Sequence, residues 1–445
     1  MTRPEPRSYF AATASFQTGE DSPRDFLERC IAKIEADDGE VGAFVAVNAD
    51  AARADADAAS ARWKEGRALS AIDGMPVGIK DIMETADMAT EQGSPLFAGW
   101  RGGRDAAAVV ALREAGAAIL GKTVTTEFAA THPRGTRNPW DLARTPGGSS
   151  SGSAAAVACG MLPAALGTQV IGSILRPSSF CGVYGFKPSV GGINRGGSFD
   201  VFSQSCTGTI AATLDEAWTV AREMSARCGG DPGYPGLSGP SVRPAARRPG
   251  RVAVLETAGW EVASDAARAQ LASVRGRLEA AGIDCRDRRS SDAVAAAEQA
   301  IADAVPLARS VNAWETRWPL NTYARDMDRS GLSEVSTERL EEAEAMTQEQ
   351  YQGLLADRDR VRAAWAALAE SCEVCITLAA AGPAPVGLGS TGDPVFNVPA
   401  SLLGTPAVTM PVLETEGLPL GLQVMGFVNR DAALFAAAAG LLTVL

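Results

Sequence analysis

The sequence predicts an α/β fold: one large domain carrying a helical insertion. Short apolar, glycine-flanked stretches such as GMPVGIKDI (74–82) and AAILGKT (117–123) alternate with amphipathic ones, the pattern of strands and covering helices in one sheet. A Gly/Pro/Arg-rich linker at 229–250, followed by long charged helices, sets the interval up to residue 370 apart in character. Strand-like sequence resumes at CEVCITL (372–378), and no internal repeat divides the chain. A length of 445 residues fits either one large domain or two ordinary ones, and the patterning favours one.

Ser22-Pro23 followed by Phe26, Leu27, Cys30, Ile31 and Ile34 reads as a capped amphipathic helix, with proline at the first turn where its missing N–H costs nothing. Residues 51–64, rich in Ala with Asp and Arg, predict a second helix with a solvated face. GMPVGIKDI predicts a strand ending at Lys80-Asp81, and 105–117 predicts a helix leading into the strand AAILGKT. Gly, Pro and Ser dominate 132–153, and a small-residue helix is expected from about 153 to 160. RVAVLET (251–257) reads as a strand. Within 341–370, Leu354, Val361, Trp365 and Leu368 share one helical face.

Composition narrows the function classes. A net charge of −12 argues against nucleic acid or anionic membrane as the main partner, because phosphate binding rests on clustered Lys and Arg. The opening MTRPEPRSYF lacks the apolar core of a secretory signal, and no stretch supplies about 18 uninterrupted apolar residues for a membrane span. A cytoplasmic location is the expectation. Among eight cysteines, Cys372 and Cys375 form a CxxC without a second pair or a nearby histidine, so buried strand thiols are expected rather than a zinc or redox site.

TPGGSSSGSA (145–154) raises the chemical question. GGSSSG lacks the Lys-Ser/Thr that completes a phosphate loop. GSSSG matches a nucleophile elbow at Ser150, but that fold places its histidine after the serine, and the single histidine, His132, lies upstream in a Pro/Gly loop. GLGSTG (387–392) runs into Asp393-Pro394 rather than opening a helix, so it reads as a turn-rich active-site or surface loop and not a dinucleotide fingerprint. A serine hydrolase without a usable histidine needs another base. A lysine serves if burial or positive neighbours lower its pKa, and Lys80, at the end of an apolar strand, is the candidate. Composition alone favours the other reading, an ordinary surface lysine beside Asp81.

Taken together, GMPVGIKDI, GKTVTTEFA (121–129), NPWDLARTPGGSSSGSAAAVACG (138–160), GTQVIGSILRPSSFCGVYGFKPSVG (167–191), DPVFNVPASLLGTPAVTMPV and GLPLGLQVMG resemble the amidase signature family. The resemblance covers about 22–215 and 372–436, leaving 229–370 as the variable helical insertion of a single 1–445 domain. It implies a mixed central β-sheet covered by helices and a Ser-cisSer-Lys triad: Ser173 as nucleophile, Ser149 as the bridging serine in a cis peptide, and Lys80 as base. It also implies an oxyanion hole from the N–H groups of Val170, Ile171, Gly172 and Ser173, with Gly147, Gly148 and Ser150 in support. No metal or organic cofactor is implied. The partner expected is a small amide or carbamate, for a monomer or homodimer.

The nucleophile segment departs from the family pattern GTDTGGSIRxP. Gln169 replaces its aspartate, Ile171 the first glycine of its pair, and the arginine falls one place later, at Arg176, with Leu175 before it. The shifted arginine resembles a branch that includes arylamide- and carbamate-cleaving (urethanase-like) members. Within the same fold, the ammonia-producing subunit of a tRNA-dependent amidotransferase, an allophanate hydrolase and an inactive binding scaffold remain alternatives. Trp314, Trp318, Tyr323 and Met327 either wall an apolar pocket or form the insertion's own core.

Overall fold

The apolar stretches pair into one mixed eleven-stranded sheet. The structure, a computed structural model, describes residues 3–445. The strands are β1 (Phe44–Val47), β2 (Pro76–Lys80), β3 (Ala118–Thr123), β4 (Ala164–Gln169), β5 (Tyr184–Lys187), β6 (Cys206–Ala211), β7 (Arg251–Val254), β8 (Asp284–Arg286), β9 (Val374–Leu378), β10 (Ala407–Thr415) and β11 (Leu418–Met425). They lie in the order β1-β3-β2-β4-β6-β5-β10-β11-β9-β7-β8. β2 runs parallel to both β3 and β4, and β7 parallel to β8 and β9, while the other pairings are antiparallel. Every residue of β2, β3, β4, β6, β9 and β11 is buried, as expected of strands covered on both faces. That is the α/β architecture anticipated, a mixed sheet surrounded by helices.

Local sequence explains most of the helices. Ser22 accepts the N–H of Asp25 and Pro23 opens the helix Pro23–Val41, which buries Phe26, Leu27, Cys30, Ile31 and Ile34. The small-residue helix spans Ser151–Ala158, two residues ahead of the expected start, and all of it is buried. Side chains this small let it reach the sheet closely. Gly152 has no room for more: a Cβ there would lie 2.2 Å from the Ala43 carbonyl oxygen and 2.4 Å from the Val124 nitrogen.

Within the interval 229–370 the strand expected at 251–257 forms as β7, and the short β8 adds one that was not anticipated. Together they extend the main sheet through β9, with Val252 opposite Val374. The charged run after 341 divides: helix Glu334–Ala345 ends before Thr347, whose capping box with Gln350 starts helix Gln348–Leu368. On that helix Trp365 and Leu368 are buried, whereas Leu354 and Val361 are half-buried. The helix Ala304–Asp326 breaks at Trp318, ahead of Pro319.

A methyl group at position 152 has only backbone to displace. Gly152→Ala is expected to destabilise the fold by about 1–3 kcal/mol, read as a lowered urea midpoint at unchanged slope.

Candidate active site

Strands β2 and β4 are parallel neighbours, with Val77 opposite Ala164 and Gly78 opposite Ala165. Their carboxyl ends therefore open on the same edge of the sheet, where α/β folds place ligands. β2 delivers Lys80 to that edge, and β4 delivers the turn 170–173. The segment entering helix Ser151–Ala158 brings Ser149 to the same place.

Lys80 is fully buried at the end of an apolar strand. Its Nζ donates to Ser149 Oγ at 2.7 Å and to Thr168 Oγ1 at 2.6 Å, with the Thr168 carbonyl oxygen at 3.5 Å. Every partner is neutral. Desolvation pulls the ammonium's pKa down to about 8, against the opposing charge of Asp200. The neighbouring Lys122 is held differently: it sits 3.0 Å from Asp81 and also donates to the Met83 carbonyl and Thr90 Oγ1. Of the two adjacent buried lysines, only Lys122 has an ion-pair partner among the described residues.

The Gly148–Ser149 peptide bond is cis. The Ser149 carbonyl accepts the Thr126 N–H at 3.2 Å, and the Gly148 carbonyl accepts Arg176 Nη2 at 2.6 Å. Gly147 adopts φ +83°, and a Cβ on it would sit 2.8 Å from the Pro177 Cα, so both its conformation and its space call for glycine. Ser150 does not reach Lys80. Its Oγ donates to the Thr168 carbonyl at 3.3 Å and its N–H to the Ser173 carbonyl at 3.3 Å, tying the two serine-bearing segments together.

Ser173 is 5% exposed, at the turn after β4. Among the described residues, its Oγ forms no hydrogen bond, and none joins it to Ser149 Oγ. The N–H groups of Val170, Ile171, Gly172 and Ser173 likewise have no partner among the described residues. The next two are taken: Gln169 Oε1 accepts the N–H of Ile174 at 2.9 Å and of Leu175 at 3.0 Å, while its Nε2 donates to Ser401 Oγ. Gln169 thus satisfies the first donors of the following helix, Leu175–Cys181.

Sequence reasoning missed three residues here. Thr168 supplies a second hydroxyl to the Lys80 amine, Asp200 acts on it from the loop before β6, and Thr391 of GLGSTG accepts Arg176 Nη2 at 3.0 Å. Only the position of Thr168 within the motif segment offered a signal. His132 lies outside this constellation, its carbonyl accepting the Glu127 N–H. Cys372 and Cys375 are buried, with sulfurs 3.8 Å apart. Among the described residues, no group of three or more His, Cys, Asp or Glu side chains is placed to hold a metal, and no helix is long and apolar enough to cross a membrane. Of the four insertion residues suggested as pocket walls, only Tyr323 lines a pocket, a small one shared with Phe128, Phe199 and Phe202. Trp318 is 72% exposed, Met327 is 38% exposed, and Trp314 stacks on Tyr351.

Comparison with known proteins addresses the family and the fold. The family described as Amidase matches residues 25–435, running through the interval that the sequence motifs leave out. A glutamyl-tRNA(Gln) amidotransferase subunit from Anaeromyxobacter sp. (strain K) is 44% identical over 209 residues, 46% of this chain and 41% of that protein. The corresponding subunit from Chloroflexus aggregans is 40% identical over 221 residues, 47% and 43% of the two chains. The chain thus spans less than half the length of these curated relatives. Among solved structures, an amidase is 25% identical, covers 98% of this chain and 99% of its own, and superposes with a TM-score of 0.84. The native peptide amidase of Stenotrophomonas maltophilia, 24% identical over 97% of this chain and 95% of its own at a TM-score of 0.81, shares the fold.

Gln169→Ala orphans two buried N–H groups at once. We expect it to lower stability by about 1–3 kcal/mol in urea denaturation, with Gln169→Glu recovering part of the loss through its carboxylate acceptor.

Proposed function

Because the chain belongs to the amidase family, we propose that it is a serine hydrolase of C–N bonds working through Lys80, Ser149 and Ser173. One observation carries this reading: a fully buried lysine whose amine meets only neutral acceptors and whose pKa falls to about 8. A neutral amine is a base. Lys80 takes the Ser149 proton as Ser149 takes that of Ser173, and Ser173 Oγ attacks the acyl carbon. The Oγ–Oγ hand-over between the serines is a hydrogen bond that unliganded sites commonly complete only with substrate bound.

The free N–H groups of Val170, Ile171, Gly172 and Ser173 supply donors for the tetrahedral oxyanion. Each such donor is worth about 2.7–4 kcal/mol in comparable acyl transfer. The relay then returns the proton to the departing nitrogen, which leaves as an amine rather than as its anion. Water releases the acyl group from Ser173. Gly147, Gly148 and Ser150 hold Ser149 in place. Small amides are the substrate class, extending to carbamates of aromatic amines.

A second reading is favoured by the 40–44% identity to amidotransferase subunits over about half the chain. On that reading the same chemistry releases ammonia from glutamine for a partner protein.

A panel of acetanilide, a phenyl carbamate, glutamine and allophanate separates these readings. Ser173→Ala is expected to lower kcat by at least about 10³-fold on whichever substrate is cleaved, and Lys80→Ala by about 10²–10⁴-fold. Full turnover in Ser173→Ala removes it as nucleophile. Lys80 acts when neutral, so kcat/KM is expected to rise with pH and reach half its plateau near pH 8, then stay level above it. A profile flat between pH 6 and 9, or Lys80→Ala with the parental rate, removes Lys80 as base.

A further inference from the structure

Arg176 is a buried cation without a counter-ion. It is 3% exposed, and among the described residues no carboxylate lies within ion-pair distance of it. Asp393 is the acid that acts on it, yet that side chain is exposed and turns to accept the Val395 N–H at 2.9 Å. Arg195, by contrast, meets Asp231 Oδ2 at 2.6 Å, with both side chains 10% exposed. A buried charge left unpaired costs stability, so the placement of Arg176 calls for a reason other than the fold.

Its surroundings are the two segments that carry the serines. Nη2 donates to the Gly148 carbonyl at 2.6 Å and to Thr391 Oγ1 at 3.0 Å, while Nε and Nη1 have no partner among the described residues. A Cβ built on Gly172 would lie 3.3 Å from Nη1, so the unpaired nitrogen is packed against the turn 170–173. The other polar atom at that point, Asn397 Oδ1 at 3.2 Å, is neutral and also unpartnered. Lys80 reaches the same serine segment through Ser149 Oγ at 2.7 Å. Two basic side chains thus converge on residues 148 and 149, with no anion in contact with either. That distribution suits a reaction in which negative charge appears only in passing.

We propose that Arg176 is a positioning residue for acyl transfer: it clamps the carbonyl that precedes the bridging serine and holds positive charge against the turn 170–173, where the tetrahedral oxyanion forms. The N–H groups of that turn bind the oxyanion; Arg176 acts through them and through Gly148, without touching the substrate. In a low-dielectric interior its charge favours the anionic intermediate over the neutral ground state. It therefore lowers the barrier and leaves ground-state binding unchanged. This rests on the hydrolase reading for the reaction itself.

The test is the rate of phosphonylation by an aryl fluorophosphonate, followed as fluoride release, in the parent, Arg176→Lys and Arg176→Gln. In that reaction Ser173 Oγ forms the O–P bond, the P–F bond breaks, and the Ser173 proton passes through Ser149 to Lys80. Negative charge builds on the phosphoryl oxygen as it would on an amide oxygen. Lysine keeps the charge; glutamine keeps a donor for the Gly148 carbonyl without it. At saturating reagent Arg176→Gln is expected to react about 10–100-fold more slowly, the effect of one unit charge at close range and intermediate dielectric. Its half-saturating concentration should stay within about 3-fold of the parent's. Arg176→Lys should fall between. The final labelled fraction should match in all three, because a folding defect removes active molecules whereas a lost charge slows each one. Arg176→Gln at the parental rate, or no slower than Arg176→Lys, overturns the proposal and leaves the hydrolase reading standing. A lower labelled fraction at an unchanged rate makes Arg176 structural and overturns it as well. A parent that releases no fluoride through Ser173 overturns the hydrolase reading, and with it the reaction assigned to Arg176.

Discussion

A buried lysine amine that meets hydroxyls instead of a carboxylate is the constraint on which this site depends. Removing an ammonium from water is costly, and a carboxylate partner would restore the charge that burial suppresses. Lys122, next in the sheet, has such a partner in Asp81. Lys80 meets only the hydroxyls of Ser149 and Thr168 and the carbonyl of Thr168. Burial lowers the pKa of both amines, but at Lys122 a carboxylate in contact opposes it, and at Lys80 only the more distant charge of Asp200 does.

The surrounding fold keeps that arrangement rigid. β2 and β4 fix Lys80 and Thr168 in adjacent parallel strands, so their spacing is set by the ladder rather than by loop conformation. Ser149 is held from both sides, its own carbonyl by Thr126 and the preceding carbonyl by Arg176. Arg176 donates through one nitrogen to Gly148 and Thr391, while its Nε and Nη1 lack partners, and burial lowers its pKa to about 10. The donors of the turn 170–173 have no partner among the described residues, and Gln169 satisfies the two N–H groups that follow.

Much of this was legible in the sequence. Strand and helix alternation pointed to the α/β class, and the single histidine, upstream of the serines, turned attention to Lys80. Lys80 and Ser149, 69 residues apart, were singled out from separate motifs and meet at 2.7 Å in the structure. What was not legible depends on tertiary register. Thr168 and Arg176 gain their roles from which strands and turns become neighbours, and β8, unlike the strand read at 251–257, shows itself only through its pairing with β7. The apolar wall failed for a similar reason. Trp318 and Met327 look like core by composition but are exposed, Trp318 at the break of its helix and Met327 at its end, and the loop phenylalanines Phe199 and Phe202 line the small pocket beside Tyr323 instead.

In the proposed mechanism a single serine, outside the serine-rich segment, carries the acyl group. Reaction with an aryl fluorophosphonate followed by peptide mapping with tandem mass spectrometry locates that serine. One adduct is expected, on Ser173, and none in Ser173→Ala. An adduct on Ser149, Ser150 or Ser151 with Ser173 unmodified would contradict the mechanism.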